Sequence, residues 1–362
     1  MTAHAAFLAR RRFGSLDGLR GLAVLAVVWH HSPAGRGFGG WPATWRGYLG
    51  VDLFFVLSGF LITTLLLRER DATGRIALGR FVARRTLRLF PLYYALLGGL
   101  ALFFAFVRPD AAVAEPFFQD LPWYATYTSN WIHAGTFLVL TWSLAAEEQF
   151  YLTWAPLVRW LGDGARWVAL AALAVGLAAT FGLLDAWLAE VLGTRFRELD
   201  MVQATFDPIA LGCLAAWLLH RPRAFARTSR LLGHRAAAPL AAMAVLAAAS
   251  LPTSEPLAAP RPLVQALLTV LVLACVVRED HGLARLLRCA PLARVGVVSY
   301  GVYLLHVVTL QGMRPLVEAI GLAAGPALFV GNALVAWGAA ELSYRWWETP
   351  FLRWKERLRG AP

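Results

Sequence analysis

Long apolar runs, each closed by a short polar or arginine-rich stretch, recur along the whole chain. About 20 mostly apolar residues cross the hydrocarbon core of a bilayer, and about ten stretches approach that length. They run roughly 16–32, 50–67, 87–107, 140–160, 166–186, 201–220, 236–252, 262–278, 294–312 and 324–346. No segment between them is polar enough to form a separate soluble domain. No internal repeat stands out either, which argues against an inverted-repeat transporter. The pattern predicts an all-α integral membrane protein, a bundle of about ten transmembrane helices over residues 16–347, with basic segments 1–15 and 348–362 at its ends.

Composition agrees: 59% of residues are hydrophobic and 15% charged, too little polar surface to wrap a soluble core. The net charge of +12 is distributed unevenly. Arg10 to Arg12, Arg68 to Arg88, Arg159 and Arg166, Arg221 to Arg235, Arg278 to Arg294 and Arg353 to Arg359 fall in alternate loops. About 25 cations lie on one side against about 7 on the other, as the positive-inside rule requires of a chain with both termini in the cytoplasm. The basic balance therefore reports topology in the plasma or inner membrane and attraction to anionic headgroups, with no nucleic-acid partner. The first span has the basic lead of a signal peptide, but no small-residue cleavage site follows Trp29, and the span is expected to be retained. Cys213, Cys275 and Cys289 have neither metal-ligand spacing nor an even disulfide count and read as packing residues, and no metal is expected.

Ionisable groups inside a membrane helix are costly and mark function. Arg20 and His31 are eleven residues apart, so on a helix they share a face about 16 Å apart along the axis. His30 points about 100° away. Asp52, at the outer start of the second span, returns near the depth of His31. It either holds the imidazole tautomer or caps its own helix. Ser58 and Gly59 read as close-packing residues. Arg84, Arg85 and Arg88 gather at the inner start of the third span, suited to phosphates through the guanidinium fork or to anchoring the helix. In the fourth span Ser143, Glu147 and Tyr151 share one face, while Glu148 lies at the interface or meets an arginine. Ser299, Tyr303 and His306 follow the spacing of one face of the ninth. The loop 108–139 carries Trp123, Tyr124, Tyr127 and Trp131, as an interfacial aromatic belt or as a lid for a sugar-like acceptor. Glu348 and Pro350 read as an inner-interface anchor, with Glu348 pairing a loop arginine.

From Leu16 to about Arg353 the chain resembles the acyltransferase-3 family of multispan membrane acyltransferases. The resemblance rests on Arg20 and His31 in their spacing, GVDLFFVLSGFLIT at Gly50, RRTLRLFPLYY at Arg84, WSLAAEEQFY at Trp142, SYGVYLLH at Ser299 and ELSYRWWETPF at Glu341, in that order. The arginine that the family commonly carries two residues before the aspartate matching Asp207 is Thr205 here. The additional extracytoplasmic hydrolase-like domain of many relatives is not expected in this chain.

The resemblance implies transfer of an acyl group, usually acetyl, from acyl-CoA to a hydroxyl of a sugar, in a cell-surface polysaccharide or a glycosylated small molecule. Arg84, Arg85, Arg88 and Arg20 then lie where a cytoplasmic acyl-CoA presents its phosphates. His31 serves as general base with Asp52 or Glu147 orienting it, or is itself acylated. Ser143, Tyr151, Ser299, Tyr303 and His306 support the same cavity. The rival reading from the residues alone is a proton-coupled transporter or flippase.

Overall fold

The computed structural model describes residues 2–10, 12–33, 41–132, 137–192, 206–252, 261–319 and 326–358. Every regular element among them is helical. Ten principal helices coincide with the ten apolar stretches: α1 Gly14–His31, α2 Leu49–Thr73, α3 Leu78–Leu102, α4 Trp142–Leu161, α5 Ala165–Thr180, α6 Asp207–His220, α7 Ala237–Ala249, α8 Arg261–Val277, α9 Ser299–Ala319 and α10 Pro326–Ser343. Helical runs over Leu49–Thr73, Leu78–Val107 and Leu138–Thr180 are long and apolar enough to cross a membrane, the last holding α4 and α5 about a turn at Gly162. Helices α6 and α8 are apolar but shorter.

Helix α2 is apolar on every side and is buried along most of its length, which makes it the central helix of the bundle. One apolar core joins it to α3, α4 and α9 and takes in parts of α1 and α6, and a second joins it to α1, α6, α7 and α8. It runs parallel to α6, and the two backbones touch where both lack a side chain. A Cβ on Gly59 would stand 2.1 Å from the Ile209 carbonyl oxygen, and one on Gly212 2.2 Å from that of Val56. Small residues permit such close approach between membrane helices, where lipid supplies no hydrophobic drive to associate. In this geometry Gly59 packs as the sequence suggests.

Chain direction alternates. Arg159, near the end of α4, donates to the Ile76 carbonyl beside the start of α3, and Thr180, ending α5, lies 3.4 Å from the Asp207 carboxylate that starts α6. The stretch from residue 294 is not one straight span. The short helix Ala290–Val297 meets α9 at 79°, pressed against α1 where Gly296 abuts the Asp17 carbonyl. Pro222–Leu232 likewise meets α7 at 76°. Its buried Phe225 and Thr228 face the protein, and Arg223, Arg227 and Arg230 face outward.

The 108–139 region divides the roles of its rings. Helix Ala114–Ala125 is strapped to α3 by the Tyr93 and Tyr94 hydroxyls, which donate to the Tyr124 and Ala125 carbonyls at 2.8 Å. Tyr124 is fully buried, and Tyr127 stacks on Tyr93 at 4.4 Å, so both are packing residues. Trp123 and Trp131 stay exposed, as a belt requires. Gln149 of α4 holds the loop by donating to the Tyr127 carbonyl and to Asn130.

Candidate active site

At one end of the bundle, α1, α2 and α3 and the C-terminal helix Thr349–Arg357 surround an open chamber of about 1640 Å³ including its mouth. Among the described residues, Arg12, Arg20, Arg68, Arg84, Arg85, Arg88 and Lys355 line it against Asp17 and Glu69 alone. Arg84 lies 3.6 Å from Glu69, which pins it at the rim. That Arg12 and Lys355 share one mouth places the two terminal segments at the same end of the bundle.

Arg20, Leu61, Arg85 and Arg88 also line a second, deeper chamber of about 700 Å³ including its open side, so the two adjoin at these side chains. Its lining includes Ser58, Ser143, Glu147, Tyr151, Ser299, Tyr300 and Tyr303. Glu147 accepts hydrogen bonds from both Ser58 and Tyr151. The Arg85 guanidinium sits 4.5 Å from the centre of the Tyr151 ring. The facing of α4 expected from its spacing is therefore found, because Ser143, Glu147 and Tyr151 all meet the chamber. Ser58, read from the sequence as a packing residue, also lines the chamber and donates to Glu147. Its neighbours in sequence are apolar, and its carboxylate partner lies 89 residues away.

The far limit of the deep chamber is Val51, Phe54, Phe55, Leu144 and Tyr303. The Tyr303 hydroxyl meets that of Ser143 at 2.6 Å and donates to the Leu140 carbonyl at 2.9 Å. Behind Tyr303, one turn on, lies the fully buried His306, and His31 of α1 packs against it with ring centres 4.9 Å apart. The tautomers follow from the acceptors. Nδ1 of His306 lies 2.5 Å from the Tyr303 carbonyl and Nδ1 of His31 2.9 Å from the Val27 carbonyl; carbonyls only accept, so both Nδ1 atoms carry protons. Nε2 of His306 then faces Nδ1–H of His31 at 3.3 Å, and the basic nitrogen of His31 is Nε2.

Asp52 is placed differently from the expectation that it orients His31. Among the described residues its carboxylate is held by Arg261, at 3.1 and 3.2 Å, and by Gln265, at 3.2 Å, both on α8. It is completely buried, and a carboxylate in that position needs a full charge beside it, which an imidazole bonded to a carbonyl does not supply. Nor does it cap α2, whose N-cap is Tyr48. Glu148 points away from the chamber's lining; it is buried, with one carboxylate oxygen lacking a hydrogen-bond partner among the described residues. Glu348 is held by Ser343, with Arg88 as its charged neighbour. Thr205 lies outside the described residues. Among the described residues no three His, Cys, Asp or Glu side chains are grouped to hold a metal ion.

The chain is similar to known proteins along nearly all of its length. The chain is 30% identical over 94% of its length to the peptidoglycan O-acetyltransferase OatA of Listeria monocytogenes, covering 56% of that protein. It is 29% identical, again over 94%, to the Bacillus subtilis protein YrhL, provisionally named for the same reaction, covering 55% of it. A Staphylococcus aureus protein provisionally named an O-acetyltransferase matches at 38% over 39% of this chain and 24% of its own length. The chain thus spans about half the length of the two relatives it matches end to end. No solved structure matches. The family model described as an acyltransferase domain matches residues 13–341, and the chain belongs to that acyltransferase-3 family.

Proposed function

We propose that this protein is a ten-crossing membrane O-acyltransferase that moves an acetyl group from acyl-CoA to a sugar hydroxyl of a cell-envelope polymer. The observation that carries the reading is the chemical gradient along the cavity. Liners on α2 run from Arg68 at the mouth through Leu61 and Ser58 to Phe54 and Val51, about 25 Å of helix rise. Cations come first, then hydroxyls and a carboxylate, then apolar rings. A coenzyme A thioester has the same order: phosphates, a polar amide arm, and the acyl group. Guanidinium forks at Arg84, Arg85 and Arg88 suit phosphate oxygens, and a mainly apolar inner end suits a short acyl chain. The acceptor is proposed from the relatives' names, two of which specify peptidoglycan.

In the proposed reaction Nε2 of His31 takes the proton of the acceptor hydroxyl as its oxygen attacks the thioester carbonyl. The thiolate departs, and the proton on His31 returns to it, so the enzyme ends as it began. His306 packs against His31, and both lie behind Tyr303, outside the lining of the deep chamber, so the Tyr303 side chain has to move aside for the thioester carbonyl to come within reach of Nε2. Arg20, Arg85 and Arg88 hold the donor's charge at the neck.

Thiol release from acetyl-CoA by the purified protein, with and without muropeptide or glycoside acceptors, tests the reading. Acceptor-dependent release should fall by about 10²-fold or more in His31→Ala, the usual scale for a general base. If neither protein binds or consumes any acyl-CoA, a proton-coupled transporter or flippase becomes the better account.

A further inference from the structure

Outside its arginine neck, the open chamber still carries unbalanced charge. Among the described residues, Arg12, Arg68, Arg84 and Lys355 line that outer part against the carboxylates of Asp17 and Glu69. Arg12 engages Asp17 at 2.8 Å, and Arg84 lies 3.6 Å from Glu69, so the mouth keeps a surplus of two positive charges. Arg68 is fixed by neutral groups. Its η nitrogens donate to the Arg10 and Phe7 carbonyls at 2.7 and 2.9 Å, and the rings of Phe7 and Phe13 each lie 5.5 Å from the guanidinium carbon. Its buried Nε has no acceptor among the described residues. These partners orient the charge without cancelling it, and a fixed cation lining a cavity raises the local concentration of anions there. Lys355 reaches the same mouth from the C-terminal helix, beyond residue 341, where the match to the family ends. That helix is carried on α3, where Trp347 just before it donates to the Pro91 carbonyl at 2.9 Å. On α2, Leu61 of the neck and Arg68 are two turns apart, which puts the mouth charges about 10 Å outside the neck.

We infer that Lys355 and Arg68 form a second anion subsite, which takes the phosphomonoester on the ribose of the donor. This rests on the acyl-CoA reading above and sharpens it. Coenzyme A carries phosphate in two places, a diphosphate between the pantetheine arm and the ribose, and a separate monoester on the ribose itself. With the arm in the deep chamber and the diphosphate on Arg20, Arg85 and Arg88, the ribose and its monoester are left in the open chamber. A phosphomonoester has close to two negative charges at neutral pH, which matches the surplus at the mouth. An ammonium on a flexible stem can follow a ligand at an open entrance, while the pinned guanidinium supplies its field without moving. A thioester whose pantetheine arm is attached directly to a protein has no such phosphate, so the subsite selects the free nucleotide-bearing donor over a carrier-bound one.

Calorimetric titration of the full chain in phosphatidylcholine nanodiscs with CoA and with dephospho-CoA, which lacks only the ribose monoester, reads the subsite without an acceptor. The wild type should bind CoA about tenfold more tightly than dephospho-CoA, the scale of one charge-assisted phosphate contact. That ratio should fall about fivefold in Lys355→Gln and be kept in Lys355→Arg. The inference is overturned if the wild type binds the two nucleotides alike, or if Lys355→Gln weakens both equally and keeps the ratio, as a merely structural residue would. A repeat with phosphatidylglycerol added separates the two sources of a phosphate. A ratio present in phosphatidylcholine and abolished by the anionic lipid gives the subsite to a headgroup and overturns the inference, whereas a ratio that survives supports the donor. In each of these outcomes CoA still binds and the donor reading stands. A wild type that binds neither nucleotide removes the donor reading and this inference with it.

Discussion

Asp52 shows how a single residue's partner decides its role. Its carboxylate is fully buried and is met by the Arg261 fork and the Gln265 amide, with the Tyr48 ring 6.0 Å from the same guanidinium. Removing one member of a buried pair leaves the other charge without compensation, a loss of about 3–5 kcal/mol. Asp52→Asn should therefore lower thermal stability strongly, while the molecules that remain folded keep wild-type KM for acetyl-CoA. Arg261→Met should be comparably unstable, and the double variant Asp52→Asn with Arg261→Met should recover part of the loss. A catalytic Asp52 would instead lower kcat in protein of unchanged melting temperature, and differential scanning fluorimetry beside initial rates separates the two. The residue types at the site were legible from sequence because charge in an apolar run is conspicuous: Arg20, Glu147 and His31 announce themselves. Partners were not legible, since Arg261 is 209 residues from Asp52 and Glu147 is 89 from Ser58, and no local pattern encodes such distances.

At the scale of elements, the ten apolar stretches anticipated ten helices because apolar run length alone carries that signal. The two bends, at Val298 and after Leu232, follow from packing across the bundle and leave no mark in hydropathy. The connection after α8 is tied to the start of α1 by a cluster of this kind. Nε2 of His281 lies 2.9 Å from the Ser15 hydroxyl, to which Arg288 also donates at 3.1 Å. Next to it Asp280, bracketed by Arg278 and Arg235, is held down to about 2 and stays charged at any working pH. Burial, with Arg288 second, lowers the His281 pKa from its usual 6.5, and Asp280 opposes this only in part. The unfolded chain then binds a proton near pH 6.5 that the folded one refuses. The stability this group contributes is present above about pH 6.5 and is lost as the pH falls below it. Melting temperatures between pH 8 and pH 5 should decline more steeply for the wild type than for His281→Gln. Equal slopes would remove His281 from the account.

For the whole molecule, the cavity and the arginine distribution bear on one question, which way the bundle faces. The mouth holds Arg12, Arg84 and Lys355, so it opens at the end where both terminal segments lie. Acyl-CoA is a cytoplasmic metabolite too highly charged to cross lipid unaided, so under the proposed function that end faces the cytoplasm. The positive-inside rule orients it the same way, with Arg223, Arg227 and Arg230 on the outward face of Pro222–Leu232 and Arg353 on the C-terminal helix. His31, eleven residues further along α1 than Arg20 at its C-terminal end, then lies toward the opposite side of the membrane. Single-cysteine labelling decides the orientation. Cys213 and Cys275 are buried and Cys289 is exposed, so Cys289→Ser supplies a quiet background. An impermeant maleimide should label Glu115→Cys on intact cells, but Arg227→Cys and Arg353→Cys only after the membrane is permeabilised. Labelling of Arg227→Cys on intact cells would turn the donor mouth outward, where acyl-CoA does not occur. The cavity's chemical gradient would then have to serve a different anionic, lipid-tailed substrate drawn from the outer side.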